Sequence, residues 1–183
     1  SSGFHGPVTI NSSTGAITAG SFLGGTIANG AARVNGNITT NGAPVTVTTG
    51  LNVGSVSPKA IEITGNVVTS ALSGTSNGGA VSLQSGQASG GSGNGAINVG
   101  NITTSSAGSG NSGDVLVNGP GTLTLGVLTT SSTNGKAGNV VINSGQALTL
   151  PQIIASGVSG GNVQVTSAGT ISSSATSTII TSA

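Results

Sequence analysis

The sequence predicts an all-β chain wound as a parallel β-solenoid (β-helix) of about eight coils. Three observations lead there. A short alternating apolar element recurs about every 22 residues. Glycine and small polar residues punctuate it, and charged residues make up only 3% of the chain. The 183 residues suit one domain spanning 1–183, with a lead segment 1–7, repeats over 8–172 and a closing strand segment 173–183.

The first element reads apolar, any, apolar, then Asn, Thr or Gln. Its copies are Val8-Thr9-Ile10-Asn11, Thr26-Ile27-Ala28-Asn29, Val45-Thr46-Val47-Thr48 and Ile61-Glu62-Ile63-Thr64. They continue as Val81-Ser82-Leu83-Gln84, Val115-Leu116-Val117-Asn118, Val140-Val141-Ile142-Asn143 and Val163-Gln164-Val165-Thr166. Alternation with period two is the mark of a strand with one buried face. A second element comes after most copies, as in Ile17–Phe22, Leu51–Val56, Ile97–Ile102 and Leu123–Leu128, with Pro151 replacing the glycine in Leu148–Ile153. A Gly/Ser insertion over 87–94 lengthens the fifth period and reads as a surface loop.

Strands this short, without Asn-Gly turns between complementary runs, do not make hairpins. They suit a chain in which each strand pairs in parallel with its equivalent one coil away, at about 4.8 Å per coil. Glycine is expected to supply positive-φ corners. The apolar positions then form two inward columns, Val8, Val45, Ile61, Val81, Val115, Val140, Val163 and Ile10, Val47, Ile63, Leu83, Val117, Ile142, Val165. The fourth position forms a structural polar ladder of Asn11, Asn29, Thr48, Thr64, Gln84, Asn118, Asn143 and Thr166. Stacked amides there can bond one another and the corner backbone.

Composition excludes several classes. Glycine lacks the every-third-residue period of collagen, and the chain has five prolines. Gly/Ser-rich chains are commonly disordered, but here the apolar residues are periodic. A net charge of +1 and two Phe as the only aromatics give neither the electrostatic footprint nor the stacking platform for nucleic acid. With no cysteine, disulfides and thiolate metal sites are ruled out. No apolar run has the roughly 18–20 residues of a membrane-spanning helix, and membrane insertion is not expected. The opening Ser1-Ser2-Gly3, without Met, reads as processed or excised.

Catalysis needs clustered titratable groups. The chain has Glu62, Asp114, Lys59, Lys136, Arg33 and His5. Glu62 is expected outward beside Lys59, Asp114 in a turn role, and Arg33 as an outward-snorkelling replacement of an apolar residue. A calcium-binding Gly-rich repeat requires recurrent Asp, which occurs once. No catalytic residue, cofactor or metal site is expected, and the chain reads as a non-enzyme.

The runs Gly138-Asn139-Val140-Val141-Ile142-Asn143-Ser144-Gly145-Gln146-Ala147-Leu148-Thr149-Leu150 and Gly161-Asn162-Val163-Gln164-Val165-Thr166-Ser167-Ala168-Gly169 resemble repeats of filamentous-haemagglutinin-type exoproteins and autotransporter passenger domains. The resemblance is one of repeat style and covers most of 8–172. It implies a right-handed parallel β-helix, exported to the bacterial cell surface and used in adhesion, biofilm or fibre formation.

Repeat pattern and resemblance together support three functional expectations. Neither end carries a polar or helical cap, and 176–181 is uncharged and β-prone, so the first is a homopolymer stacked end to end into a filament. The second is an adhesin module from a larger exoprotein, binding surface polysaccharide or a host cell, with a lateral apolar stripe of Ile27, Leu116 and Val141. The third is ice binding through an array of Thr39, Thr40, Thr103, Thr104, Thr129 and Thr130.

Overall fold

The computed structural model describes residues 8–12, 17–20, 32–49, 60–71, 74–86 and 95–182. Within them the chain forms nineteen strands, numbered β1–β19 in chain order, and no helix. Every strand pairing is parallel. The first sheet stacks β1 (Val8–Ser12), β5 (Val45–Thr49), β8 (Val81–Gln84), β11 (Val115–Gly119), β14 (Val140–Ser144) and β17 (Val163–Ser167), in that order.

The second sheet stacks β2 (Ile17–Gly20), β3 (Ala32–Asn35), β6 (Ile61–Ile63), β9 (Ile97–Val99) and β12 (Leu123–Leu125). A separate pair, β15 (Leu148–Leu150) with β18 (Ile171–Ser173), comes after it. The third sheet stacks β4 (Ile38–Thr39), β7 (Val67–Val68), β10 (Ile102–Thr103), β13 (Leu128–Thr129), β16 (Ile153–Ile154) and β19 (Ile179–Ile180). β2 and β3 follow one another in the second sheet; from β3 onward the chain visits second, third and first sheet in turn, with β15 and β18 in the second sheet's place in the last two rounds. Stacked parallel strands in several sheets are the arrangement expected of a parallel β-helix.

Period-two alternation decides what points inward. β5 and β14 bury their first, third and fifth residues and leave the two between half-exposed. Val8, Val45, Val81, Val115, Val140 and Val163 pair in one register, and Ile10, Val47, Leu83, Val117, Ile142 and Val165 in another, two residues on. The second sheet adds Ile61, Ile97 and Leu123, the β15–β18 pair Leu148, and the third sheet Val67, Ile102, Leu128 and Ile153, all within one core. Burying each such side chain is worth about 1.5–3 kcal/mol, which offsets the entropy of a glycine-rich backbone.

Two expectations change. Ile61 and Ile63 lie in the second sheet, where Ile61 pairs with Ala32 and Ile97, rather than in the columns with Val45 and Val47. Three alternating residues suit either sheet, and the residues after them make the difference. Gly65-Asn66-Val67 after β6 matches Gly36-Asn37-Ile38 after β3 and Gly100-Asn101-Ile102 after β9. Of the eight repeat copies, six stand in the first sheet, 61–64 stands in the second, and 26–29 lies outside the described residues.

The corner glycines also have a different cause. Positive φ occurs at Gly36, Gly42 and Gly74 among the described residues. Most corner glycines are required by close stacking instead. A Cβ on Gly79, Gly113, Gly138 or Gly161 would lie 2.2, 2.3, 2.1 or 2.0 Å from the carbonyl oxygen of Ala43, Gly79, Gly113 or Gly138, one coil away. No side chain fits that gap.

Candidate functional site

Six of the eight fourth-position residues stack in one column, but not at a corner. Asn11, Thr48, Gln84, Asn118, Asn143 and Thr166 pair in register. Thr48, Gln84, Asn118, Asn143 and Thr166 sit on the outward side of the first sheet, Asn118 and Thr166 exposed and Thr48, Gln84 and Asn143 half-buried. Gln84 Nε2 donates to Ser82 Oγ at 3.1 Å rather than to a ladder neighbour. Thr64 comes directly after β6 and belongs to the second sheet's corner, where its Oγ1 accepts from Gly36 N and lies 3.0 Å from Asn35 Oδ1. Asn29 lies outside the described residues.

Three amide ladders do occupy the corners, built from other residues. Between second and third sheets, Asn37, Asn66 and Asn101 each accept, through Oδ1, the backbone N–H one coil on: Asn66 N at 2.8 Å, Asn101 N at 2.9 Å and Val127 N at 2.8 Å. On the return to the first sheet, Asn77 accepts from Asn111 N at 2.8 Å and Asn111 from Lys136 N at 2.9 Å. Just before the first sheet, Asp114 accepts from Asn139 N at 2.7 Å and Asn139 from Asn162 N at 3.0 Å. Asp114, like the asparagines, thereby ties its coil to the backbone of the next.

The threonine array divides in two. Thr39, Thr103 and Thr129 face outward, in a column with Val68, Ile154 and Ile180. Thr40, Thr104 and Thr130 face inward with Thr69, at most 2% exposed, and so cannot meet an external surface. Inside, each closes its own coil. Thr104 Oγ1 donates to Gly113 O at 2.6 Å while Gly113 N donates to Thr104 O at 3.0 Å. Thr130 and Gly138 repeat the reciprocal pair at 2.8 and 3.1 Å. Thr69 and Gly79 do the same. This clamp ties the third sheet to the approach to the first, and Ala155 keeps only its backbone half, accepting from Gly161 N at 3.0 Å.

Of the apolar stripe, Leu116 and Val141 are paired neighbours on the first sheet's outer face, both half-buried. Their column continues as Ser82 on one side and Gln164 on the other. Ile27 lies outside the described residues.

Titratable groups stay apart. Arg33 occupies an outward position of β3, not an apolar one, and faces Glu62 across the strand pair. Its Nε is 3.2 Å from Glu62 Oε2 in ion-pair contact, without hydrogen-bond alignment, and Nη2 donates to Oε1 at 3.5 Å. Lys59 and His5 lie outside the described residues. Glu62 lies in the second sheet and Asp114 just before the first, and no group of three potential metal ligands occurs among the described residues.

Two of the surface grooves among the described residues concern the candidate site. One, of about 670 Å³, runs beside the third sheet across successive coils and is lined by the hydroxyl column Ser70, Ser105, Ser131, Ser156 and Ser182. The other, of about 570 Å³, lies where β12 and β15 are not paired, bordered by Thr124, Leu125, Thr149, Leu150 and Gln152. Neutral hydroxyls and amides there can hydrogen-bond a partner.

The last coil differs from the one before it. Val140 and Ile142 of β14 are 0% exposed, whereas their partners Val163 and Val165 are only half-buried. Ile171 is 50% and Ile179 47% exposed, although they pair with the buried Leu148 and Ile153. No protein-family model, curated protein or solved structure matches this chain.

Proposed function

We propose that the chain is a non-enzymatic structural β-solenoid whose role is to stack head-to-tail into a filament. One observation carries the reading: the inward residues of β17, β18 and β19 form an apolar end face edged by three parallel strands, the surface a further layer of strands covers. Both ends of the first sheet also carry the same motif, Val8-Thr9-Ile10-Asn11-Ser12 in β1 and Val163-Gln164-Val165-Thr166-Ser167 in β17. A right-handed winding is proposed with it, in line with the handedness rule for parallel crossovers and the exoprotein resemblance. The six strands of the first sheet and the eight repeat copies bracket the coil number.

An extracellular, bacterial-surface setting rests on the same resemblance. It accords with a fold held without disulfides and with a nearly uncharged surface. A second reading, an adhesin module, is favoured by the serine-lined groove, whose hydroxyls recur at the coil spacing and would suit a neutral polysaccharide. Ice binding has less support, since half of its array is internal.

Negative-stain electron microscopy of the purified 183-residue chain, with sedimentation at increasing concentration, tests the first reading. Long filaments of uniform width are expected; strictly monomeric short rods at high concentration would remove it.

A further inference from the structure

We propose that the opening between β12 and β15 is an interaction site, a slot that takes up an extended, uncharged peptide segment with alternating apolar residues as an added parallel strand. The slot lies along the side of the rod and does not depend on end-to-end stacking.

Continuous pairing flanks it on both sides. β11 pairs with β14 and β13 with β16 in full register. Yet β12 and β15, which run between them and share the residues Leu-Thr-Leu, do not pair. Most Cα pairs between these two strands are more than 8 Å apart. Paired strands stand about 4.8 Å apart, and a strand set between two others needs about 9.6 Å across.

The residues at the corner explain the opening. One coil earlier, Gly126 N donates to Val99 O at 3.2 Å and Val127 N to Asn101 Oδ1 at 2.8 Å. In the next coil Pro151 stands in the place of Gly126 without an N–H, and Val127 has no amide to offer Gln152. The entry to the strand shows the same break. Ala32, Ile61 and Ile97 each donate their N–H to the carbonyl preceding the next coil's strand, that of Ala60, Ala96 and Thr122. The following bond of that series, Leu123 N to Ala147 O, is not made, whereas Leu148 N donates to Thr170 O at 2.9 Å beyond the slot.

A strand edge with unpaired N–H and C=O groups is a template for another strand, and here two such edges face each other. By the ladder's phase, β12 turns the backbone of Leu123 and Leu125 into the slot, and β15 that of Thr149. Leu125 and Leu150 are half-buried and pack on the core, while Thr124 and Thr149 are exposed at the rim. Period two then fixes the guest, with apolar residues inward against the leucines and a polar one outward between the threonines. No charged residue lines the cavity of about 570 Å³, so a charge on the guest's inward side would lose its water without gaining a partner.

The probe is the synthetic hexapeptide Gly-Thr-Leu-Thr-Leu-Gly, which copies residues 121–126. Titrated into the purified chain in a calorimeter, it is expected to bind saturably at one site and to slow hydrogen exchange at the amides of Leu123 and Leu125. The rearranged Gly-Leu-Leu-Thr-Thr-Gly, and the first peptide N-methylated at its central threonine, should bind roughly tenfold more weakly or worse. Pro151→Gly combined with Val127→Asn restores both corner bonds, so it should slow those two amides without peptide and abolish binding, with the circular dichroism spectrum unchanged. The peptide comparisons use the unaltered chain and stand by themselves. No saturable binding, or equal binding of the rearranged or N-methylated peptide, would overturn the proposal. Undiminished binding by the folded double variant would do the same, as would a neutral glucan oligosaccharide that slows those amides when the peptide does not.

Discussion

Thr104 shows how much a single side chain does here. Its hydroxyl is wholly buried, and both halves of its exchange with Gly113 close the coil from inside. Thr104→Val keeps the shape but strands the Gly113 carbonyl, at an expected cost of about 1–3 kcal/mol in chemical denaturation. Gly113→Ala should cost more than the ~1 kcal/mol of an average substitution, because its Cβ would lie 2.3 Å from the Gly79 carbonyl oxygen and backbone must move. Arg33→Ala offers the contrast. Its partner is Glu62 on a half-exposed face, so the same measurement should register ~1 kcal/mol or less. The inward position of Thr104 was open to inference: Ile102 is inward, Thr103 outward, and period two brings the next residue in again. Treating adjacent threonines as one exposed pair overlooked that alternation.

At the scale of the strand and its corner, what the sequence revealed depended on range. Alternation within five residues identified β1, β5, β8, β11, β14 and β17, and the inward side of the last five. It could not separate β6 from a first-sheet strand, because Ile61-Glu62-Ile63 satisfies both and only the downstream Gly65-Asn66 distinguishes them. The corner ladders were harder. Asn37, Asn66 and Asn101 become one structure only when residues 29 and 35 apart are stacked, and no local window contains that relation. These ladders make a specific demand on hydrogen exchange. The amides of Asn66, Asn101, Asn111 and Asn139 belong to exposed residues yet are bonded to the preceding coil. They should exchange markedly more slowly than the amides of exposed loop residues. Asn37→Ala should speed the amide of Asn66 while leaving that of Val127 unchanged, since its acceptor is Asn101.

For the whole molecule, the end face and the scarcity of charge act together. No charged residue lies beyond Lys136, so the closing coils carry nothing that would repel an incoming copy. Val165→Asp or Ile171→Asp should abolish or shorten filaments, read by electron microscopy, while lowering the melting temperature little, because both positions are already half-exposed. Assembly should also be nearly indifferent to salt, since screening has few charges to act on. A filament yield that fell several-fold between low and high salt would point to an electrostatic contact instead.

Each coil is bonded to the coils directly above and below it, and its side chains pack in the same one-dimensional order. Loss of structure therefore has few places to begin. An interior coil must break two sets of strand pairings to leave, a terminal one only a single set, and the closing coil is already less buried inside than the one before it. Persistence then becomes a matter of how many termini a given mass of protein presents. Joining two rods removes two of the four points from which unravelling can start, so lifetime against dissolution should lengthen with the rod itself.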